Sequence, residues 1–565
     1  MGKHKIKYNE VIEISSVKDL LEKAVKDSGD NIAYKYRKGE EVVDVTYKEA
    51  QNDTYALGNA LLNMGIKNTH IAVIGDNSYD WITVYLTILK SDSVLVPIDK
   101  ELPIDDIINV VNDSDSTILF YAEKYEKQFM ELADKMPNIK YFIGFAREED
   151  EGKFLSYNKF KEKGREIYSN GNNEYDKLST GDNELKLLVY TSGTTGIAKG
   201  VMLTEHNLIS CVYHGLRVAD IFTRCLSVLP YNHTYESTCG ILIAIQRRAT
   251  LCINENLRTV EKNLKFYKPD YILLVPAFAE AFYKKIWSTA EKSGKAGALK
   301  VMIAISNALR KVGIDVRRKL FKSVLEAFGG NLIEIVCGGA PLRPELAKFF
   351  ESIGVILING YGITECSPLV SVNQLKFNDP ATVGVILPCC EVKIENKNED
   401  DEGEICVKGD IVMLGYYKRP DLTAEVLKDG WFNTGDYGKI NEKGQLMITG
   451  RKKNLIVLEN GKNIFPEELE LYISSIQYIS EVVVYGVKDE NGSETGLCAE
   501  VVLNEDTVKD LGIEDVEATV RADIAKVCAK LPFYKRISRV VIRKEAFEKT
   551  TTNKIKRAKV GQNQQ

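Results

Sequence analysis

The sequence contains no apolar run approaching the roughly 20 residues that a bilayer span requires. Its amino terminus, Met1-Gly2-Lys3-His4-Lys5, is basic but leads into polar, acidic sequence, so no apolar signal segment is expected there. Positive charge is in slight deficit: 75 Lys and Arg against 80 Asp and Glu leave a net charge of −5. That balance argues against attraction of the whole protein to nucleic acid. Histidines number only five and do not cluster with cysteine, which argues against a structural metal site. The eleven cysteines include no Cys-x-x-Cys, and Cys252, Cys337, Cys406 and Cys498 lie in apolar, strand-like runs as small hydrophobes. The neighbours Cys389 and Cys390 are too close for an ordinary disulfide within one strand. A reducing, cytosolic setting is expected. Tandem repeats and low-complexity tracts are also missing, and the tail 561–565 is simply polar.

What is there, over 565 residues, exceeds a single hydrophobic core and predicts two or more domains. From Ile71 the pattern is α/β, with strands expected at 71–75, 93–97 and 117–121 and helices at 80–89 and 104–111. The theme returns with strands at 270–275, 332–337 and 355–358 and helices at 277–290 and 344–352. Such alternation predicts layered, mostly parallel sheets flanked by helices. Residues 145–178 are charged and glycine-spaced and read as a surface excursion. Near Glu391 the texture changes to short strands, at 404–407, 445–448, 455–458, 482–487, 498–503 and 540–542, with one clear helix at 513–530. The expectation is a large domain over 1–450, a joint at 451–454 and a small α+β domain over 455–565.

The chain is organised around Tyr190-Thr191-Ser192-Gly193-Thr194-Thr195-Gly196-Ile197-Ala198-Lys199-Gly200. An apolar strand precedes this loop and a helix at 204–217 follows it. Its glycines let backbone N–H groups point into one cavity. The hydroxyls of Thr191, Ser192, Thr194 and Thr195 add donors, and Lys199 adds a mobile positive charge. The loop suits a polyphosphate, but its spacing is not that of a Walker A loop. Gly338-Gly339-Ala340-Pro341 follows a strand, where glycines allow a flat ring to lie on the backbone. In Gly360-Tyr361-Gly362-Ile363-Thr364-Glu365, Tyr361 can stack on a purine, Thr364 can bond a phosphate oxygen, and Glu365 can hold Mg²⁺. Asp436, in Trp431-Phe432-Asn433-Thr434-Gly435-Asp436, is an acceptor-only carboxylate, and Arg451 a donor-only guanidinium. A solvated reading suits Lys452.

These stretches, in this order, resemble the adenylate-forming superfamily of acyl-CoA synthetases, luciferases and peptide-synthetase adenylation domains, over roughly residues 48–557. The resemblance implies that the Thr/Gly loop holds ATP phosphates, that Gly338, Gly339 and Ala340 line the adenine pocket, and that Thr191 and Glu365 serve Mg²⁺. It implies that Asp436 and Arg451 meet the ribose, and that Lys453 is the hinge of a mobile small domain. Lys554, in Thr552-Asn553-Lys554, resembles the lysine that bridges carboxylate and phosphate during adenylation. Many relatives carry glycine where Asn553 stands, a residue that also tolerates left-handed backbone angles. The stretch with Gly461 and Lys462 is similar to the one lining the thiol tunnel. His233 and Tyr235, in Leu229-Pro230-Tyr231-Asn232-His233-Thr234-Tyr235, correspond to the segment beside the acyl pocket.

The aspartate that binds an α-amino group in peptide-synthetase domains has no evident equivalent, which disfavours an amino acid substrate. The segment 338–367 looks most like long-chain fatty acid–CoA ligases, implying ATP, Mg²⁺ and CoA as cofactors and a fatty acid as substrate. Two alternatives stand beside it: a fatty acyl-AMP ligase that loads an acyl-carrier protein, and a nucleotide-binding protein without turnover. Between 284 and 322, eleven Lys/Arg face only Glu291 and Asp315, with apolar residues interleaved. That basic amphipathic stretch suits peripheral contact with the inner membrane face, CoA or an acidic carrier protein, or a solvated helix face.

Overall fold

The computed structural model describes residues 6–172, 174–178, 181, 183–191, 198–459, 462–488, 494–529, 531–549, 555–557 and 560. Among them, two large sheets, of 14 and eight strands, build the first body. The eight-stranded sheet runs Phe154–Ser156, Tyr141–Gly144, Ser116–Tyr121, His70–Ile74, Val94–Ile98, Leu185–Thr191, Lys199–Thr204, Gly415–Tyr416. Its first six strands are parallel, and the last two pairings are antiparallel. Val94–Ile98 reads Val-Leu-Val-Pro-Ile and is buried throughout, as a parallel strand covered on both faces must be.

The larger sheet changes character halfway. Ile32–Lys38, Thr250–Ile253, Arg224–Ser227, Tyr271–Leu274, Glu334–Cys337 and Ile356–Gly362 are parallel neighbours. Beyond them Leu369–Val372, Gly384–Ile386, Gln445–Arg451, Trp431–Ile440, Gly403–Gly409 and Cys390–Glu395 continue antiparallel. The α/β expectation therefore holds, with a long antiparallel wing added to the parallel part. The chain turns from one regime to the other at Ile356–Gly362, which pairs parallel on one side and antiparallel on the other.

The helices between the sheets carry few exposed residues. Tyr79–Lys90 buries all but Asp80, and a helix apolar all round has to lie inside. Tyr47–Asn63 begins on a capping box, Thr46 with Glu49. Residues 145–178 depart from the expected surface excursion. Tyr157–Ser169 is a helix that lies on Tyr47–Asn63, and a Cβ at Gly164 would meet the Ala56 carbonyl oxygen at 1.9 Å. Glycine at that point lets the two backbones touch.

A second hydrophobic core gathers around Ile464, Leu469, Ile473, Val484, Ala499, Val501, Val520 and Ile524. There Ile479–Lys488, Glu494–Leu503 and Arg539–Arg543 form a three-stranded sheet, with helices Pro466–Ile473 and Val516–Cys528. A single 3₁₀ turn, Lys452–Asn454, leads into this part from the strand Gln445–Arg451. All eleven cysteines are free. Among the described residues no helix is long and apolar enough to cross a membrane.

Candidate active site

The glycine-rich loop spans a hairpin. Strands Leu185–Thr191 and Lys199–Thr204 pair antiparallel with Thr191 opposite Lys199, so these two residues stand at the loop's mouth. The loop's own Ser192, Gly193, Thr194, Thr195 and Gly196 lie outside the described residues, as do Gly461 and Lys554. The helix Glu205–Val218 follows at once, capped by Thr204 with Asn207.

Lys199 is tied to Glu365 through a residue that the motifs do not announce. The short strand Gly415–Tyr416 adds to the hairpin, Tyr416 opposite Val201. Its ring lies under the Lys199 ammonium, with Nζ 5.2 Å from the centroid. Its hydroxyl donates to Glu365 Oε1 at 2.9 Å. Burial pushes the Glu365 carboxyl above the usual carboxylate range, against the pull of the Tyr416 bond and of Arg451. Thr364 and Glu365 sit in a 3₁₀ turn after the strand Ile356–Gly362. The lack of a side chain at Gly362 makes that turn fit, since a Cβ would come within 2.4 Å of the Pro368 carbonyl oxygen.

Asp436 is the hub of the next group. Its Oδ2 accepts from the Tyr361 hydroxyl at 2.6 Å, and its Oδ1 pairs with Arg451 Nε at 2.7 Å. Register explains the pair, for Asp436 and Arg451 are opposite one another on antiparallel strands. The Asp436 side chain is 5% exposed and that of Arg451 40%, so the carboxylate is held inside and the guanidinium reaches out. Thr434 completes the support: its hydroxyl donates to the Ile405 carbonyl and accepts the Asp436 backbone N–H. Lys452 is exposed, as the solvated reading expects, and its ammonium also pairs at 2.6 Å with the buried carboxylate of Glu404.

Gly338 and Gly339 follow the strand Glu334–Cys337, with Gly339 at φ +81°, a left-handed angle that suits glycine. A Cβ on Gly338 would stand 3.4 Å from both the Gly360 carbonyl and the Tyr235 ring, so the backbone is flat against that ring. Ala340 is exposed beyond them. Gly338, Gly339, Tyr361 and Gly362 also border an apolar cavity that extends past Tyr235 and Cys239 to Ile221 and Val336. Tyr235 contributes its ring only, because its hydroxyl is spent on the Val336 carbonyl at 3.0 Å. His233, half-buried, precedes the helix Thr234–Glu236 as its N-cap residue. Glu236 on that helix is fully buried; burial lifts its carboxyl to about 8, opposed by the Ser227 hydroxyl that it accepts. Lys453 and Lys462 are exposed.

Thr191, Lys199 and Glu365 are thus linked into one group through Tyr416. Tyr361, Asp436 and Arg451 form a second, drawn from three different strands, and the Gly338 segment borders the same cavity as Tyr361. Tyr416, Thr434 and Glu236 were not legible as site residues, because strand pairing and packing bring them in rather than spacing. The Gly338 segment and Tyr361 lie at the carboxyl ends of parallel strands, at the point where the sheet changes direction, the usual ligand crevice of open α/β sheets, and Asp436 and Arg451 join them from the antiparallel wing. Fold and crevice together define a nucleotide-binding α/β enzyme with an apolar second pocket.

Residues 21–417 match the AMP-binding enzyme family, and residues 453–564 match the AMP-binding enzyme C-terminal domain. The chain belongs to the AMP-binding enzyme family, as its motifs led one to expect. It is 28% identical over 482 residues to the long-chain-fatty-acid–CoA ligase FadD15 of Mycobacterium bovis, an alignment covering 78% of this chain and 75% of the relative. It is 27% identical over 554 residues to the chloroplastic long-chain-fatty-acid–[acyl-carrier-protein] ligase AEE15 of Arabidopsis thaliana, covering 84% and 75%. Its fold is similar to that of the adenylation domain of a carboxylate reductase from Mycobacterium chelonae, with a TM-score of 0.78 and 21% identity over 96% of this chain and 89% of that one.

Proposed function

We propose that the protein is an AMP-forming acid–thiol ligase that activates a fatty acid with ATP and passes the acyl group to CoA. The observation that carries this reading is the shared wall at Tyr361. One side of it meets Asp436 and Arg451, and the other opens on an apolar cavity. A nucleotide and a hydrocarbon chain fit those two sides, with the carboxylate between them.

A carboxylate is a poor acyl donor because its leaving group would be oxide. In the first step its oxygen forms a bond to the α-phosphorus of ATP, and the bond from that phosphorus to the bridging oxygen breaks, releasing pyrophosphate. In the second, the thiol sulfur bonds the acyl carbon, AMP leaves with the electron pair, and the thiol proton passes to solvent. The protein's part is to bring two anions together and offset developing charge. In this reading Asp436 accepts from ribose hydroxyls and Arg451 donates nearby. Lys199, the loop amides and Lys554 supply positive potential, and His233 lies near the reacting carboxylate. Glu365 with the Thr191 hydroxyl would hold Mg²⁺, which offsets charge on the triphosphate. That donor set fits an ion that keeps one protein carboxylate, phosphate oxygens and water, and among the described residues no group of three or more His, Cys, Asp and Glu forms a metal cage. Lys453 serves as the hinge between a domain over 1–450 and one over 455–565, and Gly461 and Lys462 border the thiol after the swing.

The relative named for an acyl-carrier-protein acceptor supports a second reading, in which the thiol belongs to a carrier protein. Helices Pro276–Lys292 and Ala296–Lys311 expose Val301 and Ile305 among lysines, which supports peripheral contact with an anionic membrane from a cytoplasmic location; flotation with acidic vesicles tests it. For the function itself, pyrophosphate exchange is measured over fatty, aryl and amino acids, followed by thioester formation with CoA and with carrier protein. Exchange with fatty acids and thioester with CoA are expected. Activity with carrier protein but none with CoA would reverse the order of the two acceptors, and exchange with no acid would defeat the proposal.

A further inference from the structure

The chain from 413 to 417 is laced between two elements of the candidate site. The Met413 backbone N–H donates to the Glu365 carbonyl at 2.9 Å, the Leu414 N–H to the Met202 carbonyl at 2.9 Å, and the Tyr417 N–H to the Gly200 carbonyl at 2.8 Å. One end therefore rests on the turn that carries Glu365, and the other on the strand that begins at Lys199. Two local features aim the residue between them. Gly415 stands at φ +143°, and a Cβ there would meet the Thr423 methyl carbon at 2.7 Å, so glycine lets the helix Pro420–Val426 close on this strand. The Thr423 hydroxyl accepts the Tyr416 backbone N–H at 2.9 Å and donates to the Arg419 carbonyl at 2.9 Å.

Both parts of the buried Tyr416 side chain are then engaged. Its hydroxyl donates to Glu365 Oε1 at 2.9 Å, and its ring face lies 5.2 Å from Lys199 Nζ. The two contacts differ in kind. A hydrogen bond to a carboxylate is directional and fixes the rotation of the acceptor, whereas a ring face attracts a cation without fixing where its protons point. In the ligase reading Glu365 and Thr191 hold Mg²⁺, and Thr191 stands opposite Lys199 on the paired strand. Mg²⁺ demands near-octahedral geometry, so a carboxylate free to rotate holds it less well.

We infer that Tyr416 is a positioning residue that sets two charges of the triphosphate site separately: its hydroxyl orients Glu365 for the divalent ion, and its ring seats the Lys199 ammonium at the mouth of the phosphate loop. The inference rests on the ligase reading above, and goes beyond it in assigning a role that none of the sequence motifs carries.

The test is calorimetric binding of α,β-methylene-ATP, which cannot release pyrophosphate, in Mg²⁺ and in EDTA, with AMP as control. The ratio of the two analogue affinities is the Mg²⁺-linked gain. Tyr416→Phe keeps the ring and loses the hydroxyl. Its Mg²⁺-linked gain should fall about tenfold, as when a hydrogen-bond partner of a metal ligand is removed, while affinity in EDTA and affinity for AMP stay within about twofold of wild type. Tyr416→Leu loses both parts, and should add about a threefold loss of analogue affinity in EDTA. Glu365→Gln and the double variant Glu365→Gln/Tyr416→Phe should show the same residual gain, since the hydroxyl acts through the carboxylate.

A wild-type Mg²⁺-linked gain in Tyr416→Phe overturns the inference, whether or not Tyr416→Leu folds. So does a fall in AMP affinity parallel to that for the analogue, which would make Tyr416 a brace for the fold. Wild-type analogue affinity in EDTA for Tyr416→Leu overturns the ring's part. A wild-type protein that binds neither nucleotide overturns the ligase reading as well.

Discussion

Replacing Asp436 with Asn separates the nucleotide role of this carboxylate from its structural one. The side chain accepts from the Tyr361 hydroxyl at 2.6 Å and pairs with Arg451 at 2.7 Å while itself nearly buried. Hydrogen bonds to a charged group contribute about 1.5–3 kcal/mol, but the half-exposed Arg451 side chain brings that pair nearer about 1 kcal/mol. Asn keeps an acceptor for Tyr361 and loses the charge, so a stability loss of about 2 kcal/mol is expected, a shift of only a few degrees in the thermal midpoint of a body this large. If the carboxylate also accepts from ribose hydroxyls, transition-state binding should fall by about 3 kcal/mol, roughly a hundredfold in kcat/KM for ATP. Tyr361→Phe keeps the charge and should cost about tenfold. Calorimetric AMP binding and pyrophosphate exchange at varied ATP read the effect directly. An Asn variant with a lowered thermal midpoint but wild-type AMP affinity and KM for ATP would refute the reasoning, because Asp436 would then be only a brace for Tyr361 and Arg451.

Three further expectations follow from particular contacts. Glu236 is held at about 8 by burial against an ordinary 4.5, so between those values the folded state keeps a proton that the unfolded chain gives up. Its contribution to stability therefore falls as pH rises through that window, by up to about 1.4 kcal/mol per unit. Glu236→Gln should gain thermal stability relative to wild type from about pH 5 to about pH 8, and a pH-independent difference would refute the assignment. Lys453→Pro fixes φ in the 3₁₀ turn between the two cores; acyl-AMP formation should survive and thioester formation fall about tenfold or more, whereas equal loss of both would count against a hinge. Gly164→Ala forces a methyl against the Ala56 carbonyl, and should cost about 1–3 kcal/mol in a thermal melt. An unchanged melt would mean that the two helices separate at no cost.

The parts of the fold written in short stretches of sequence were legible before the structure. Strands at 71–75, 117–121 and 332–337 were expected and appear as His70–Ile74, Ser116–Tyr121 and Glu334–Cys337, because apolar periodicity over five or six residues is a local property. Tyr361, Glu365, Asp436 and Arg451 lie in the short motifs that carry the resemblance to the adenylate-forming superfamily, and the structure adds that Tyr361 and Arg451 both meet Asp436. The region 145–178 misled for the opposite reason. Its helix is polar by composition, and what buries it comes from elsewhere in the chain: Gly164 lies on the helix Tyr47–Asn63, and the Tyr157 ring packs on Phe120 and Phe145.

Local sequence was enough for the alternation of strand and helix, for the glycine-rich turns, and for the family to which the motifs belong. The tertiary structure alone decided which of the motif residues meet. Asp436 reaches Arg451 because two antiparallel strands pair in that register, and Tyr416 joins Lys199 to Glu365 because a two-residue strand adds to a distant hairpin. Hydrogen-bonded register and close packing connect residues far apart in the chain, and no local pattern encodes them.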